Sequence, residues 1–227
     1  MKSDDEIRKN VIEEIQWDLQ LTKIAPQIGV TVKNEVVTLS GNVDYYGQKL
    51  AAEKAAQRVK NVKVVAMDIE VKSAGTSDAI TDSKIADAVH KALTWHSAVN
   101  EDLISIKVEE GWIYLDGTVN WEYERKAAER AVENIRGVKG VINKVKIKNK
   151  KVEAVEIMKK IKAAFHRHAT VDSANILVNS TDGKVKLTGT VRSWTERKDA
   201  EDVAWSMPGV TDVENKLEIE HDIYVAE

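Results

Sequence analysis

Ile113-Tyr114-Leu115-Asp116-Gly117-Thr118-Val119 is one of three versions of the same stretch. The others are Val37-Thr38-Leu39-Ser40-Gly41-Asn42-Val43 and Val185-Lys186-Leu187-Thr188-Gly189-Thr190-Val191. Each alternates apolar and polar residues, the period-two signature of a half-buried strand. A Gly inside such a strand marks a bulge or the close approach of another backbone. The glycines lie 76 and 72 residues apart, so a small domain separates each from the next.

Reading outward from each copy gives one unit three times. Upstream, Ile28, Val30 and Val32, then Ile104, Ile106 and Val108, then Ile176 and Val178 form a preceding strand. Asn34-Glu35, Glu110-Gly111 and Asp182-Gly183 supply the hairpin turns. Further upstream, four-residue spacing of Ile7, Val11, Ile15 and Leu19 predicts an amphipathic helix opened by Ser3-Asp4-Asp5-Glu6. Ile85, Val89 and Leu93, and Val155, Ile157, Met158, Ile161 and Phe165, repeat it. Downstream comes an alanine-rich helix. Glu53, Glu129 and Glu201 stand twelve residues past the Gly and read as exposed helix residues. Asn61, Gly137 and Gly209 stand twenty past it, where a left-handed residue would stop that helix. A third alternating strand closes each unit, with Ile69, Val145 and Leu217 at matching places.

The order α-β-β-α-β predicts an α+β fold: three tandem domains, 1–73, 78–148 and 150–222, each a three-stranded mixed sheet with two helices on one face. The fixed distance from Gly to helix stop gives Gly41, Gly117 and Gly189 a backbone role, the expected reason being close passage of a packed helix. Ser73-Ala74-Gly75-Thr76-Ser77 is a short flexible linker. Only Lys148 to Lys151 separates the last two units, which predicts less freedom there than between the first two.

The 227 residues carry a net charge of -3 and no cysteine. Disulfides, thiol nucleophiles and zinc-thiolate sites are excluded. At that net charge bulk attraction to nucleic acid is not expected, and nucleic acid is not the expected partner. No run approaches the ~20 apolar residues of a membrane span. Nor does a secretory signal open the chain, which predicts a cytoplasmic protein as given, or a periplasmic one if a signal has been removed. No P-loop, dinucleotide fingerprint, nucleophile elbow or zinc-protease pattern occurs. No catalytic residue, cofactor or metal ligand is assigned: His166 and His168, two apart on a helix, point to different sides.

The strand pattern Val-x-Leu-x-Gly-x-Val, the Ala-Glu-x-Ala helix and the Gly-Val turn resemble the BON domain family, over nearly the whole chain. That resemblance implies a non-enzymatic binding module of bacterial stress response. Many members are tandem and periplasmic and are thought to bind phospholipid surfaces; some cytoplasmic relatives bind potassium.

Two features carry a possible contact. Tyr45 and Tyr46, Trp121 and Tyr123, and Trp194 fall at the entry to the second helix, as interfacial aromatics or as staples on the helix start. Lys144, Lys146 and Lys148, extended by Lys150 and Lys151, form a basic stripe. It could dock phospholipid headgroups, discourage edge pairing, or meet acidic faces of the other domains. Trp17 and Trp95 occupy matching places near the end of the first helix, packed against a neighbouring domain or a partner surface, or at the periphery of the core. The expected function is an osmotic or envelope stress-response adaptor that binds anionic phospholipid or an envelope-associated protein. The alternative is a soluble scaffold or a module that responds to potassium or calcium.

Overall fold

A computed structural model describes residues 3–72, 80–148 and 152–220; Ser73–Ser77, Lys150 and Lys151 lie outside them. Each repeat folds as the sequence order predicts. The first has α1 (Asp4–Trp17), β1 (Ile28–Lys33), β2 (Val36–Val43), α2 (Tyr46–Arg58) and β3 (Val64–Val71). The second has α3 (Asp82–Thr94), β4 (Ile104–Glu109), β5 (Trp112–Val119), α4 (Glu122–Val132), β6 (Gly140–Asn143) and β7 (Lys146–Ile147). The third has α5 (Ala154–Phe165), β8 (Ile176–Thr181), β9 (Lys184–Val191), α6 (Trp194–Trp205) and β10 (Asp212–Ile219).

The Gly-bearing strand is central in every sheet. It pairs antiparallel with the strand before it and parallel with the strand after the second helix. The sheets are therefore mixed. In the second repeat the closing strand is broken into β6 and β7, both paired with β5. One side of each sheet meets the two helices. In the first repeat Val37, Leu39, Val43 and Ile69 pack with Ile7, Val11 and Ile15 of α1 and Ala52, Ala55 and Ala56 of α2. The alanines allow the helix to lie close. Val185, Leu187, Ile157, Ile161, Phe165, Ala200 and Ala204 do the same in the third.

The hairpins turn through paired left-handed residues, as two-residue loops matching the strand twist require. φ is 52° and 63° at Asn34 and Glu35, 51° and 82° at Glu110 and Gly111, and 50° and 80° at Asp182 and Gly183. The first helix clamps two of these loops. Asp4 accepts from the Asn34 and Glu35 N–H groups, and Asp82 from those of Glu110 and Gly111.

Several expectations need correcting. The repeated Gly does not pass a packed helix. A Cβ on Gly41, Gly117 or Gly189 would meet the carbonyl of Gln27, Leu103 or Asn175 at 2.1, 2.0 and 2.0 Å. Those carbonyls end a short 3-10 turn that leads into β1, β4 or β8. Asn61, Gly137 and Gly209 are left-handed (φ 71°, 91° and 92°), but the helices stop earlier, at Arg58, Val132 and Trp205. They close a separate turn, marked by N–H to carbonyl bonds from Val62 to Val59, Val138 to Ile135 and Val210 to Met207. Leu19 lies past the end of α1 and is 93% exposed.

Glu53, Glu129 and Glu201 are half-buried, not exposed. The Asn143 amide donates to Glu129 and to the Arg125 carbonyl of α4, while its oxygen accepts from Val145 N–H. Asn215 repeats this with Glu201, Arg197 and Leu217. Each Asn is a polar clamp between the third strand and the second helix. Met67 takes its place in the first repeat.

The chain divides into two compact units, Lys2–Lys146 and Ile147–Glu227. The first two repeats fall within one unit. Their junction is local. Gly47 N–H donates to the Glu133 carbonyl, and the missing Gly47 side chain makes room for Asn134, whose Oδ1 lies 2.2 Å from where a Cβ would be.

Candidate binding surface

The helices cover one side of each sheet and leave the other to solvent. In the second repeat the alternation along β4 and β5 turns Ser105, Lys107 and Glu109, and Trp112, Tyr114 and Asp116, outward. Lys107 stands directly across from Tyr114, and Ile142 stands on its other side. The Lys107 and Lys144 ammonium groups lie 5.5 and 5.7 Å from the Tyr114 ring centre, within cation–π range. The Trp112 ring lies against Gly140, where a Cβ would be 2.3 Å from it.

The predicted lysine stripe extends this face. Lys144, Lys146 and Lys148 are all exposed, and none has a carboxylate partner among the described residues. Lys107 is paired with Glu109 at 2.9 Å, whose hydrogen bond and charge hold its ammonium above the usual range. Because β6 runs parallel to β5, the chain beyond it carries Lys144, Lys146 and Lys148 toward the end of the sheet where Val119 hands the chain to α4. Trp121 and Tyr123 sit at that corner, half-buried and 58% exposed.

Corresponding faces differ in charge. The third repeat compensates its own: Glu214 lies 3.6 Å from Lys186 and 2.8 Å from Lys216. The hydrogen bond from Lys216 holds the Glu214 carboxyl below its usual range. The first repeat presents Thr31, Thr38 and Ser40 with Asp68 and Glu70.

The remaining aromatics divide. Tyr45 is 36% exposed, and Gln48 caps the backbone N–H groups of Asp44 and Tyr45. Tyr46 is turned toward the second repeat. Burial, then the charges of Glu129 and Glu133, raise its pKa; the Val141 backbone lowers it but does not decide the balance. Trp194 is half-buried under the Arg197 guanidinium, 5.3 Å from its ring centre. Trp17 and Trp95, 84% and 87% exposed, are not peripheral core contacts.

Among the described residues no three His, Asp or Glu side chains are grouped to hold a metal ion, and no helix is long and apolar enough to cross a membrane. His166 Nδ1 and His168 Nδ1 are engaged locally with Ser173 and Thr170 at 2.9 and 3.1 Å. Sequence reasoning had the lysines of the third strand but missed Lys107, Tyr114 and Trp112. Pairing the two strands across the Glu110-Gly111 turn would have found them, because it fixes which residues share the solvent face.

Comparison with known proteins follows the repeat. A model of the BON domain matches residues 3–73, 81–149 and 154–221. Osmotically-inducible protein Y of Escherichia coli (strain K12) is 30% identical over 143 residues, covering 60% of this chain and 71% of that protein. An uncharacterized protein in the gshII 5′ region of Anaplasma centrale is 29% identical over 148 residues, 63% of this chain and 97% of its own. Among solved structures, CdsD, a structural protein of the type III secretion system of Chlamydia trachomatis, aligns at 17% identity. The alignment covers 93% of this chain and 91% of that one, with a TM-score of 0.27.

Proposed function

Since the chain belongs to the BON-domain family, whose domains are binding modules, we propose that it is a non-enzymatic adaptor of osmotic or envelope stress that docks on anionic phospholipid through its second domain. The observation that carries this reading is the row Lys144, Lys146 and Lys148, exposed and without carboxylate partners among the described residues, beside Tyr114. A phosphate headgroup supplies the anion such a row lacks. Tyr123 and Trp121, at the same end of the sheet, offer amphipathic rings suited to the headgroup level. The likeness to an osmotically inducible protein supports the stress setting.

A lysine near an anionic surface gains about 1 kcal/mol, and reversal adds repulsion. Lys144→Glu with Lys146→Glu should therefore weaken binding at least about tenfold. Co-sedimentation with phosphatidylglycerol vesicles at low salt is the test, with phosphatidylcholine vesicles as control. Binding to the anionic vesicles alone, lost in the double variant, is the expected result. Equal failure to bind both vesicles defeats the proposal.

A further inference from the structure

The closing strands of the first two domains are written in the same order with opposite charge. Toward solvent, β3 presents Val64 and Ala66, then Asp68 and Glu70. The β6–β7 strand presents Gly140 under the Trp112 ring and Ile142, then Lys144 and Lys146. β3 has β2 as its one sheet neighbour, and β6 has β5. Both strands are therefore sheet edges. Val64 is 50% exposed, Asp68 and Glu70 are exposed, and neither acid has an ion-pair partner among the described residues. The first two domains are already held in one unit through Gly47, Glu133 and Asn134. In that arrangement Asp68 and Glu70 do not pair with Lys144 and Lys146.

We propose that the solvent face of β3 in one molecule docks on that of β6–β7 in a second copy of this chain. With the two strands aligned in the same direction, Val64 and Ala66 meet Trp112 and Ile142, while Asp68 and Glu70 meet Lys144 and Lys146. The opposite direction sets the acids against the apolar half and leaves the lysines unmatched, so charge selects one alignment. The third domain takes no part, because its Lys186 and Lys216 are already engaged with Glu214.

The contact shares its lysines with the lipid reading but does not depend on lipid being their ligand. A membrane and a second copy would compete for them.

Sedimentation velocity over a range of concentrations, at about 50 and 500 mM salt, reads the contact through its screening. Mass should rise with concentration at low salt and fall to the monomer at high salt. Lys144→Glu/Lys146→Glu and Asp68→Lys/Glu70→Lys should each weaken association about tenfold or more, reversal turning attraction into repulsion. An equimolar mixture of the two variants should restore it, because an acidic strand again faces a basic one. A wild-type chain that stays monomeric at low salt overturns the proposal. So does either variant associating like wild type, or a mixture that stays monomeric while both variants melt normally. Vesicle binding separates the two readings: Asp68→Lys/Glu70→Lys should weaken self-association and keep phosphatidylglycerol binding.

Discussion

Replacing Gly117 with Ala places a methyl group 2.0 Å from the Leu103 carbonyl oxygen, at a backbone φ of +144°. Two costs add. A side chain held in that region of φ costs roughly 1–3 kcal/mol. Separating β5 from the chain entering β4 by about 1 Å is an overpacking strain of a further ~1–3 kcal/mol. A domain of some 70 residues has a total stability of roughly 3.5–10 kcal/mol at the usual 0.05–0.15 per residue. The substitution therefore removes about half of it. With a urea slope near 1 kcal/mol/M, the lower edge of the usual range, the second-domain midpoint should fall by about 2 M or more. Six tryptophans spread over three domains blur a fluorescence melt. The clean assay is amide exchange followed separately in 28–43, 104–119 and 176–191. Protection should drop in 104–119. Vesicle affinity of the molecules that remain folded should hold. Unchanged protection with weakened vesicle binding would refute the reasoning and return this Gly to the binding site.

Four other substitutions probe the same physics. Glu35→Gly should raise first-domain stability by about 0.5–1 kcal/mol in urea melts, because Glu35 sits at φ 63° where the other two repeats carry Gly; the gain is reduced by losing its ion pair with Lys63. Asn215→Ala should cost the third domain about 1–3 kcal/mol, since it strips partners from the half-buried Glu201 and from Leu217 N–H. At the junction, burial raises the Glu133 carboxyl, Lys54 lowers it and Glu129 raises it again, leaving it above its usual value. A carboxyl raised in the folded state stabilises fully below its unfolded pKa, and that contribution is lost as pH rises through the folded one. Glu133→Gln should therefore flatten the pH dependence of the first unit's midpoint above about pH 4.5 and stabilise it at neutral pH. Glu196 has the opposite sign. Burial alone would raise it, but Arg192 and the backbone N–H groups of Asp172 and Arg192 hold it below the usual range. Glu196→Gln should remove a third-domain contribution that wild type loses as pH falls below about 4.5 toward the folded pKa.

Much of this fold was legible because its signals are local and occur three times. Strand alternation, the hairpin pairs beginning at Asn34, Glu110 and Asp182, and the helix start at Ser3 each rest on a few neighbouring residues. The Ser3 cap is present as read, its side chain accepting from Glu6 N–H while Glu6 accepts from Ser3 N–H. Of the candidate surface, the lysines were legible as a stripe. What lies beside them was not, because their neighbour Tyr114 belongs to a strand some thirty residues earlier.

The sequence by itself determined the repeat, the order α-β-β-α-β, the mixed sheet and the membership of the family, since periodicity and turn chemistry are properties of short segments. Only the tertiary structure decided what those segments meet. Gly117 faces a carbonyl at the foot of β4. Asn143 and Asn215 clamp strand to helix, and Glu129 and Glu201 are drawn inward to receive them. Tyr46 serves the junction with the next domain, whereas Trp17 and Trp95 are left in water. These outcomes depend on distances between residues far apart in the chain. Packing sets such distances, and no spacing within one segment encodes them.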